Sequence, residues 1–141
     1  MPFKFIEEIA IADIAFEATA PTLDRLFEEA GMAASDIMVD PKTVKPALKK
    51  TLKLSANTVE NLMYDFLSEL IYLKDTKGLL FNKYSVKVKQ AKEWTLSCVA
   101  MGDKIDRKRH DLRNDLKAIT MHMFVVEQRG REWYARVVVD I

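Results

Sequence analysis

The last eleven positions of the sequence, residues 131–141, alternate two sets of side chains up to the final residue. One set is Trp133, Ala135, Val137 and Val139, and the other is Tyr134, Arg136, Val138 and Asp140. This period of two predicts a half-buried β-strand, so the fold must place this end of the chain in a sheet. A strand that ends here would bring the Asp140 side chain and the carboxylate of Ile141 to one point. Hard divalent cations prefer clustered oxygen ligands, so this end is a candidate cation site.

Two segments have the period of an amphipathic helix. In residues 23–38 apolar side chains recur every three or four positions, and Thr22 can cap the start of that helix. The second segment runs from about Asn57, which has capping-box spacing with Glu60, to the lysine that precedes a glycine at position 78.

The rest of the chain is predicted to consist of strands and turns. Residues 3–9 and 11–18 form one long bent strand or a hairpin, and the later strands are predicted at 48–54, 84–88, 93–101, 116–128 and the chain end. Arg129 and Gly130 supply a short turn before the last strand. Strands dominate the later part of the chain, which favours an α+β fold. We expect a single domain over residues 1–141, with a mixed or antiparallel sheet and two main helices packed on one face.

Composition and charge restrict the function classes. The net charge of +1 creates no field of the whole molecule that would draw it to nucleic acid or an anionic membrane. No apolar run approaches 18 residues and no leader is recognised, so a cytoplasmic protein without membrane contact is expected. The single cysteine, Cys98, excludes an internal disulfide and falls in an alternating segment that predicts a buried strand position.

Familiar catalytic motifs are absent from the sequence. Its four glycines are scattered, so they form no phosphate-binding loop, and there is no serine or cysteine elbow. The two histidines, His110 and His122, cannot build a histidine-rich zinc site alone, and a surface or sheet-face position is expected for each. The absence of these motifs leaves the function open.

Aspartates carry the stronger functional signal. Asp13 interrupts an apolar strand, where an ionised group is costly unless it meets a cation or hydrogen bonds. Asp36 and Asp40 lie where the first helix ends, and the helix dipole disfavours negative charge there. Asp36 is expected to be solvated. For Asp40 two interpretations stay open, a nearby cation or the start of an Asp-Pro turn.

A basic stretch lies between residues 104 and 113. Its cationic side chains are Lys104, Arg107, Lys108, Arg109, His110 and Arg113. Aspartates are interleaved with them, and such mixed charge is typical of a solvated loop. The alternative is a surface that contacts a partner or phosphates through Arg107, Arg109 and His110, although it lacks the aromatic residues of a single-strand binder.

Several segments together resemble one known family, the archeases. The clearest is residues 116–122, Leu-Lys-Ala-Ile-Thr-Met-His, which is similar to the family's hydrophobic-Lys-Ala-Ile-Thr-Tyr-His. The other matching positions are 22–23 with 27, 37–40, 66–73, 75–81, 108–110 and the final Asp-Ile. The resemblance covers nearly the whole chain and implies the archease fold. It also implies that Asp13, Asp40, Asp140 and the terminal carboxylate of Ile141 form a divalent-cation site, with Lys117 as a functional basic residue.

The resemblance further implies an accessory protein and no enzyme, because archeases activate the RNA-splicing ligase that joins tRNA halves. Such a protein would position a divalent cation, calcium in isolation or else magnesium or manganese, and would promote guanylylation and multiple turnover of the ligase. RNA would be contacted indirectly through the ligase, and the oligomeric state is left open. Two alternatives remain: a metal-dependent phosphoester hydrolase that uses the same carboxylates with Lys117, and a chaperone-like or RNA-binding module that uses the basic stretch.

The sequence departs from the family pattern near its start. Residues 10–15 read Ala-Ile-Ala-Asp-Ile-Ala where the family has His-Thr-Ala-Asp-Ile-Gly, so Asp13 is kept and its polar neighbours are lost. Ala20 and Met121 also replace a usual glycine and a usual tyrosine. The loss of polar groups beside a ligand weakens a metal site about ten- to a hundredfold. An altered cation affinity or partner is therefore expected.

Overall fold

The computed structural model describes residues 3–6 and 13–141 of the chain. In chain order its elements are β1 (Phe3–Ile6), β2 (Asp13–Ala20), α1 (Leu23–Met38), β3 (Leu48–Ala56), α2 (Val59–Lys77), β4 (Leu79–Gln90), β5 (Trp94–Lys104), β6 (Ala118–Arg129) and β7 (Glu132–Asp140). A short 3-10 helix, Pro41–Thr43, follows α1. Within the described ranges, no helix is long and apolar enough to cross a membrane.

These strands form two antiparallel sheets. One has the order β1-β2-β7-β6 and the other the order β3-β5-β4. The α+β class, the antiparallel pairing and the two main helices are therefore confirmed. The strands divide between two sheets, however, where a single sheet was expected. Alternation along a strand predicts which face is covered, but the choice of pairing partner depends on distant parts of the chain.

Both helices lie against both sheets. The helix α1 contacts β2 and β4, and α2 contacts β6 and β3. The buried surface of each helix is correspondingly wide, and in α1 it includes the small residues Ala30, Ala33 and Ala34, which allow close approach of the strands. The rings of Phe27 and Phe66 meet with their centroids 5.8 Å apart between the helices. The core thus lies between the two sheets and is filled by the helices.

The helix ends follow the capping rules, with one correction. The Thr22 hydroxyl accepts a hydrogen bond from the Arg25 N–H at 3.2 Å, as predicted. The N-cap of α2 is Thr58, and the expectation that Asn57 would fill this role is wrong by one residue. Both residue types make good caps, so sequence alone does not decide between neighbours. Gly78 ends α2 with a φ of 62°, a left-handed conformation that glycine adopts without strain.

The first two strands form the hairpin that was one of the two expectations. Phe3 is paired with Ala18 and Ile6 with Ala15. Residues 7–12 lie outside the described part of the chain, and with them the first three positions of the divergent segment 10–15.

Cys98 occupies the buried strand position that its alternating neighbours predicted. It lies in the middle of β5, opposite Leu52 on one side and Val86 on the other, and none of its surface is exposed. Burial raises the pKa of its thiol to about 12, so the residue is a core side chain and no nucleophile.

Candidate metal centre and its surroundings

Asp13 and Asp140 are direct neighbours across two paired strands. Asp13 begins β2, Asp140 ends β7, and the antiparallel register places them opposite each other. Side chains at such positions share one face of the sheet, with their Cβ atoms about 4.5–5.5 Å apart. Both residues are partly buried. Two ionised carboxylates in this arrangement repel each other unless a cation lies between them.

The other side of Asp140 is occupied by the start of β6. Ala118 is opposite Asp140 in the register, and the Lys117 N–H donates a hydrogen bond to the Asp140 carbonyl oxygen at 2.8 Å. The Lys117 side chain is exposed, whereas Ile141 packs against the core. The end of β7 is therefore flanked by a carboxylate on one side and by Lys117 on the other.

Asp40 lies just beyond the end of α1 and starts a turn. Its Oδ1 accepts the Lys42 N–H at 3.0 Å and thereby caps the short 3-10 helix that begins with Pro41. Its other carboxylate oxygen, Oδ2, lies 3.9 Å from Nη2 of Arg113. The Asp-Pro turn is thus confirmed, and a protein cation also lies near this carboxylate.

Asp36 is not simply solvated, as was expected. Arg113 donates from Nη1 to both the carboxylate and the carbonyl oxygen of Asp36, at 2.9 and 3.0 Å. The guanidinium thereby satisfies an acidic side chain and an exposed carbonyl at the negative end of the helix dipole. The expectation failed because Arg113 is distant in sequence from Asp36.

Residues 111–117, here called the connecting segment, join the surroundings of Asp40 to those of Asp140. At one end the Asp111 carbonyl oxygen accepts the Asp40 N–H at 2.8 Å, and at the other the Lys117 N–H reaches Asp140. Between them, the backbone N–H groups of Arg113 and Asn114 donate to carbonyl oxygens at the end of α1, at 2.8 and 3.0 Å. The last turn of α1 therefore fixes the path of the connecting segment.

Lys74 of α2 also holds the connecting segment through hydrogen bonds. Its ammonium donates to the Leu116 carbonyl oxygen at 2.9 Å and to the Asp115 carboxylate at 2.5 Å, and only 8% of its side chain is exposed. The hydrogen bond from Lys74 lowers the pKa of the Asp115 carboxyl below its ordinary value. The sequence analysis treated Lys74 only as a basic residue near a helix end. The available signal was its position on the apolar face of α2, four residues after Leu70 and three after Ile71.

The structure brings two of the four predicted ligands together and does not group the third with them. Asp13 and Asp140 are adjacent, and Asp40 lies at the opposite end of the connecting segment. Within residues 3–6 and 13–141, no three histidine, cysteine, aspartate or glutamate side chains form a cluster that could hold a metal ion. In that same part of the chain, Asp13 and Asp140 make no ion pair. Their donor chemistry fits a hard cation, while the role of Asp40 stays a prediction.

Part of the basic stretch is paired with aspartates. Arg109 binds the buried carboxylate of Asp103 through Nη1 at 2.7 Å and lies 3.7 Å from that of Asp106. Burial alone would raise the pKa of Asp103. The hydrogen bonds from Arg109 and from the Lys45 N–H outweigh that effect, and the pKa lies below its ordinary value.

The histidines take different positions from each other. The side chain of His110 is fully buried, with Nδ1 accepting the Asp106 N–H at 2.9 Å and Nε2 lying 2.7 Å from Asp103. The contact between Nε2 and Asp103 Oδ1 does not have the geometry of a hydrogen bond, so both buried atoms are left without a hydrogen-bond partner among the described residues. The expectation of a surface or sheet-face His110 is thus wrong, since the side chain packs inward against Asp103 and the Asp106 N–H. His122 lies exposed on β6.

Arg107 is the most available of the three predicted contact residues. It is exposed and lines a surface cavity of about 420 Å³ together with Lys74, Arg113 and Asp115. A phosphate contact at this surface would therefore involve Arg107 before Arg109 or His110.

The chain matches a known family over almost its whole length. The sequence profile of the Archease protein family (MTH1598/TM1083) matches residues 3–141. The archease of Pyrococcus furiosus is 34% identical, over 92% of this chain and 93% of that protein. The archease of Sulfurisphaera tokodaii is 33% identical, over 99% of this chain and 98% of that protein.

Two solved structures have the same fold. The solution structure of Methanobacterium thermoautotrophicum protein 1598 superposes with a TM-score of 0.82 at 29% identity, covering 99% of both chains. The crystal structure of a Thermotoga maritima protein, described as an archease and possible chaperone, superposes with a TM-score of 0.65 at 21% identity. That match covers 94% of this chain and 93% of the other.

Proposed function

Because this chain belongs to the archease family, we propose that it is a cytoplasmic accessory protein that activates an RNA-splicing ligase with the help of a divalent cation. The observation that carries the proposal is the pairing of Asp13 with Asp140 at the end of the central strand β7. Two partly buried carboxylates on one face of a sheet are costly in isolation and favourable around a cation.

The predicted ligands are Asp13, Asp140 and the carboxylate of Ile141, joined by Asp40. All four supply oxygen, which calcium, magnesium and manganese accept. Such a cation would neutralise charge on nucleotide phosphates at the ligase active site. Asp40 Oδ1 already accepts the Lys42 N–H, which leaves Oδ2 as the Asp40 oxygen for a cation.

Lys117 is suited to contact the ligase or its nucleotide. Its ammonium is exposed, while its backbone N–H is fixed to Asp140 and the preceding carbonyl is held by Lys74. Because the backbone of Lys117 is held at two points, its ammonium is positioned beside the predicted metal site and loses little conformational entropy on binding. Arg107, exposed beside the same segment, extends the positive surface.

The proposal is tested by mixing the protein with its cognate ligase and measuring ligase guanylylation and multiple-turnover RNA joining. Asp13→Asn, Asp140→Asn and Lys117→Ala are each expected to lower both rates by at least about tenfold, as loss of a ligand or its neighbour does. Asp65→Asn is the matched control, because Asp65 is exposed on α2. Equal stimulation by the wild type and both site aspartate variants would reject the mechanism. Metal-dependent phosphoester cleavage by the isolated protein would favour a hydrolase instead.

A further inference from the structure

The outer face of the β3-β5-β4 sheet carries a concentrated positive charge that the proposed function does not use. Its residues stand in four rows across the three strands: Lys49, Met101 and Lys83; Thr51, Val99 and Ser85; Lys53, Ser97 and Lys87; Ser55, Thr95 and Lys89. The five lysines on it are exposed, and the alternate residues of the same strands are turned toward the core. These twelve positions are called the lysine face below.

The lysine face carries no negative charge of its own. None of its twelve residues is acidic, and within the described part of the chain none of its five lysines makes an ion pair. Two arginines of the basic stretch differ in this respect, since Arg109 and Arg113 are bound to aspartates. In a molecule of net charge +1, the free positive charge of the lysine face is therefore a local feature.

The spacing of these ammonium groups suits a row of phosphates. Strands lie about 4.8 Å apart, so the backbones of Lys53 and Lys87, two strands apart, are separated by about 10 Å. Along β4, Lys87 and Lys89 are about 7 Å apart. The hydroxyls of Ser97 and Thr95 lie on β5, between the lysines of β3 and those of β4. Together with Ser55 and the lysines at 53, 87 and 89 they line a shallow depression of about 600 Å³. Lysine ammonium groups and serine or threonine hydroxyls are the side chains that contact nucleic-acid phosphates and sugars.

Proteins, membranes and single-stranded nucleic acids fit the lysine face less well than double-stranded RNA. Protein interfaces are enriched in aromatic residues and depleted of lysine, which is the opposite of this composition. A membrane-binding face needs apolar or aromatic anchors, and only Val99 and Met101, both partly buried, are apolar here. Single-stranded nucleic acid is held by stacking on aromatic side chains, and the twelve positions include none. Double-stranded RNA is recognised through its phosphates and 2′-hydroxyls. Lysine ammonium groups and side-chain hydroxyls make contacts of this kind.

We propose that the lysine face binds the backbone of double-stranded RNA without reading its sequence. This function goes beyond the activation of a ligase, in which RNA is contacted only through the partner. It requires neither the ligase nor the cation, so either proposal can fail while the other stands.

The test is fluorescence anisotropy of the isolated full chain with a labelled RNA duplex of about 16 base pairs, titrated in EDTA over a series of salt concentrations. Each lysine that contacts a phosphate adds about −0.9 to the slope of log affinity against log salt. The double variant Lys53→Gln/Lys87→Gln is expected to bind more weakly and to reduce the slope by about 2. Lys53→Arg/Lys87→Arg keeps the charge and is expected to keep the slope within about 0.5 of the wild type.

The matched control is Lys77→Gln/Lys108→Gln, which removes the same charge from two exposed lysines outside the lysine face. Its slope is expected to equal that of the wild type. The proposal is overturned if the wild type does not bind at low salt, or if the control loses as much slope as Lys53→Gln/Lys87→Gln. Equal or tighter binding of the single strand or of a DNA duplex overturns it as well. So does displacement of the duplex by polyglutamate or phosphatidylserine vesicles at equal charge.

Discussion

Replacing Asp140 by Asn separates charge repulsion from metal binding, because the two effects have opposite signs. Asn has nearly the same shape as Asp, so packing at the end of β7 is preserved and only the charge is removed. Without metal, the variant loses the repulsion from Asp13, which is its register partner. With metal, it loses one of the proposed ligands.

The size of the first effect follows from the geometry. Two unit charges about 5 Å apart interact with about 0.8 kcal/mol in water and about 3 kcal/mol at an effective dielectric constant of 20. Both carboxylates are only partly buried, so the repulsion lies near the lower figure, about 1 kcal/mol. For a chain of this length, that corresponds to an increase in Tm of about 3 °C for the metal-free variant.

The second effect is larger and reverses the order of stability. A cation present at a hundred times its Kd stabilises the wild type by about 2.7 kcal/mol, or about 8 °C. Asp140→Asn is expected to lose most of that gain. The variant is therefore more stable than the wild type in EDTA and less stable in calcium. Asp13→Asn is expected to behave in the same way.

The assay is thermal unfolding followed by circular dichroism, in EDTA and in calcium, with magnesium and manganese as further arms. Asp65→Asn serves as the control that changes the same charge elsewhere and is expected to follow the wild type in both conditions. The reasoning is refuted if Asp140→Asn destabilises the metal-free protein while the full calcium-dependent gain is retained. That result would mean that the Asp140 carboxylate stabilises the fold and takes no part in calcium binding.

Three further outcomes follow from the described contacts. Lys74→Met is expected to lower the free energy of unfolding by about 1.5–3 kcal/mol in urea titration, because it leaves the buried Leu116 carbonyl unpaired. Asp115→Asn is expected to lower it by less than about 1 kcal/mol, because Asp115 is largely exposed. Equal losses in the two variants would contradict this reasoning. Gly102→Ala is expected to cost at least about 3 kcal/mol, because a Cβ there would lie 1.8 Å from a backbone oxygen of β4, and a change below about 0.5 kcal/mol would contradict that geometry. The pKa of the Asp103 carboxyl is lowered in the folded state, so its ionised form stabilises the fold above about pH 4. This contribution is lost as the pH falls through the folded pKa. In an acid titration of folding stability, Asp103→Asn is therefore expected to lose less stability than the wild type.

Local features of the fold were predictable from sequence, and long-range ones were not. The span of α1 and its Thr22 cap depend on residues within a few positions of each other, and both were predicted correctly. The division of the strands into two sheets depends on which strands pair, and alternation carries no information about partners. The burial of His110 was missed although its contacts with Asp103 and Asp106 are local, because the polar residues around it are typical of a solvated loop.

The candidate site shows the same contrast. The sequence singled out Asp13 and Asp140 by their chemistry, and the register that makes them neighbours is visible only in the fold. Lys74 escaped notice because Asp115 and Leu116, to which it donates hydrogen bonds, are more than forty residues away. The lysine face was missed because a net charge of +1 averages over the molecule, and only strand pairing assembles Lys53 and Lys87 on one surface.

The connecting segment is held at both ends and along its length. Hydrogen bonds attach it to Asp140 and to Asp40, and between these points to the end of α1 and to Lys74. The separation between the backbones of Asp40 and Asp140 is therefore set by the fold itself, before any cation is bound.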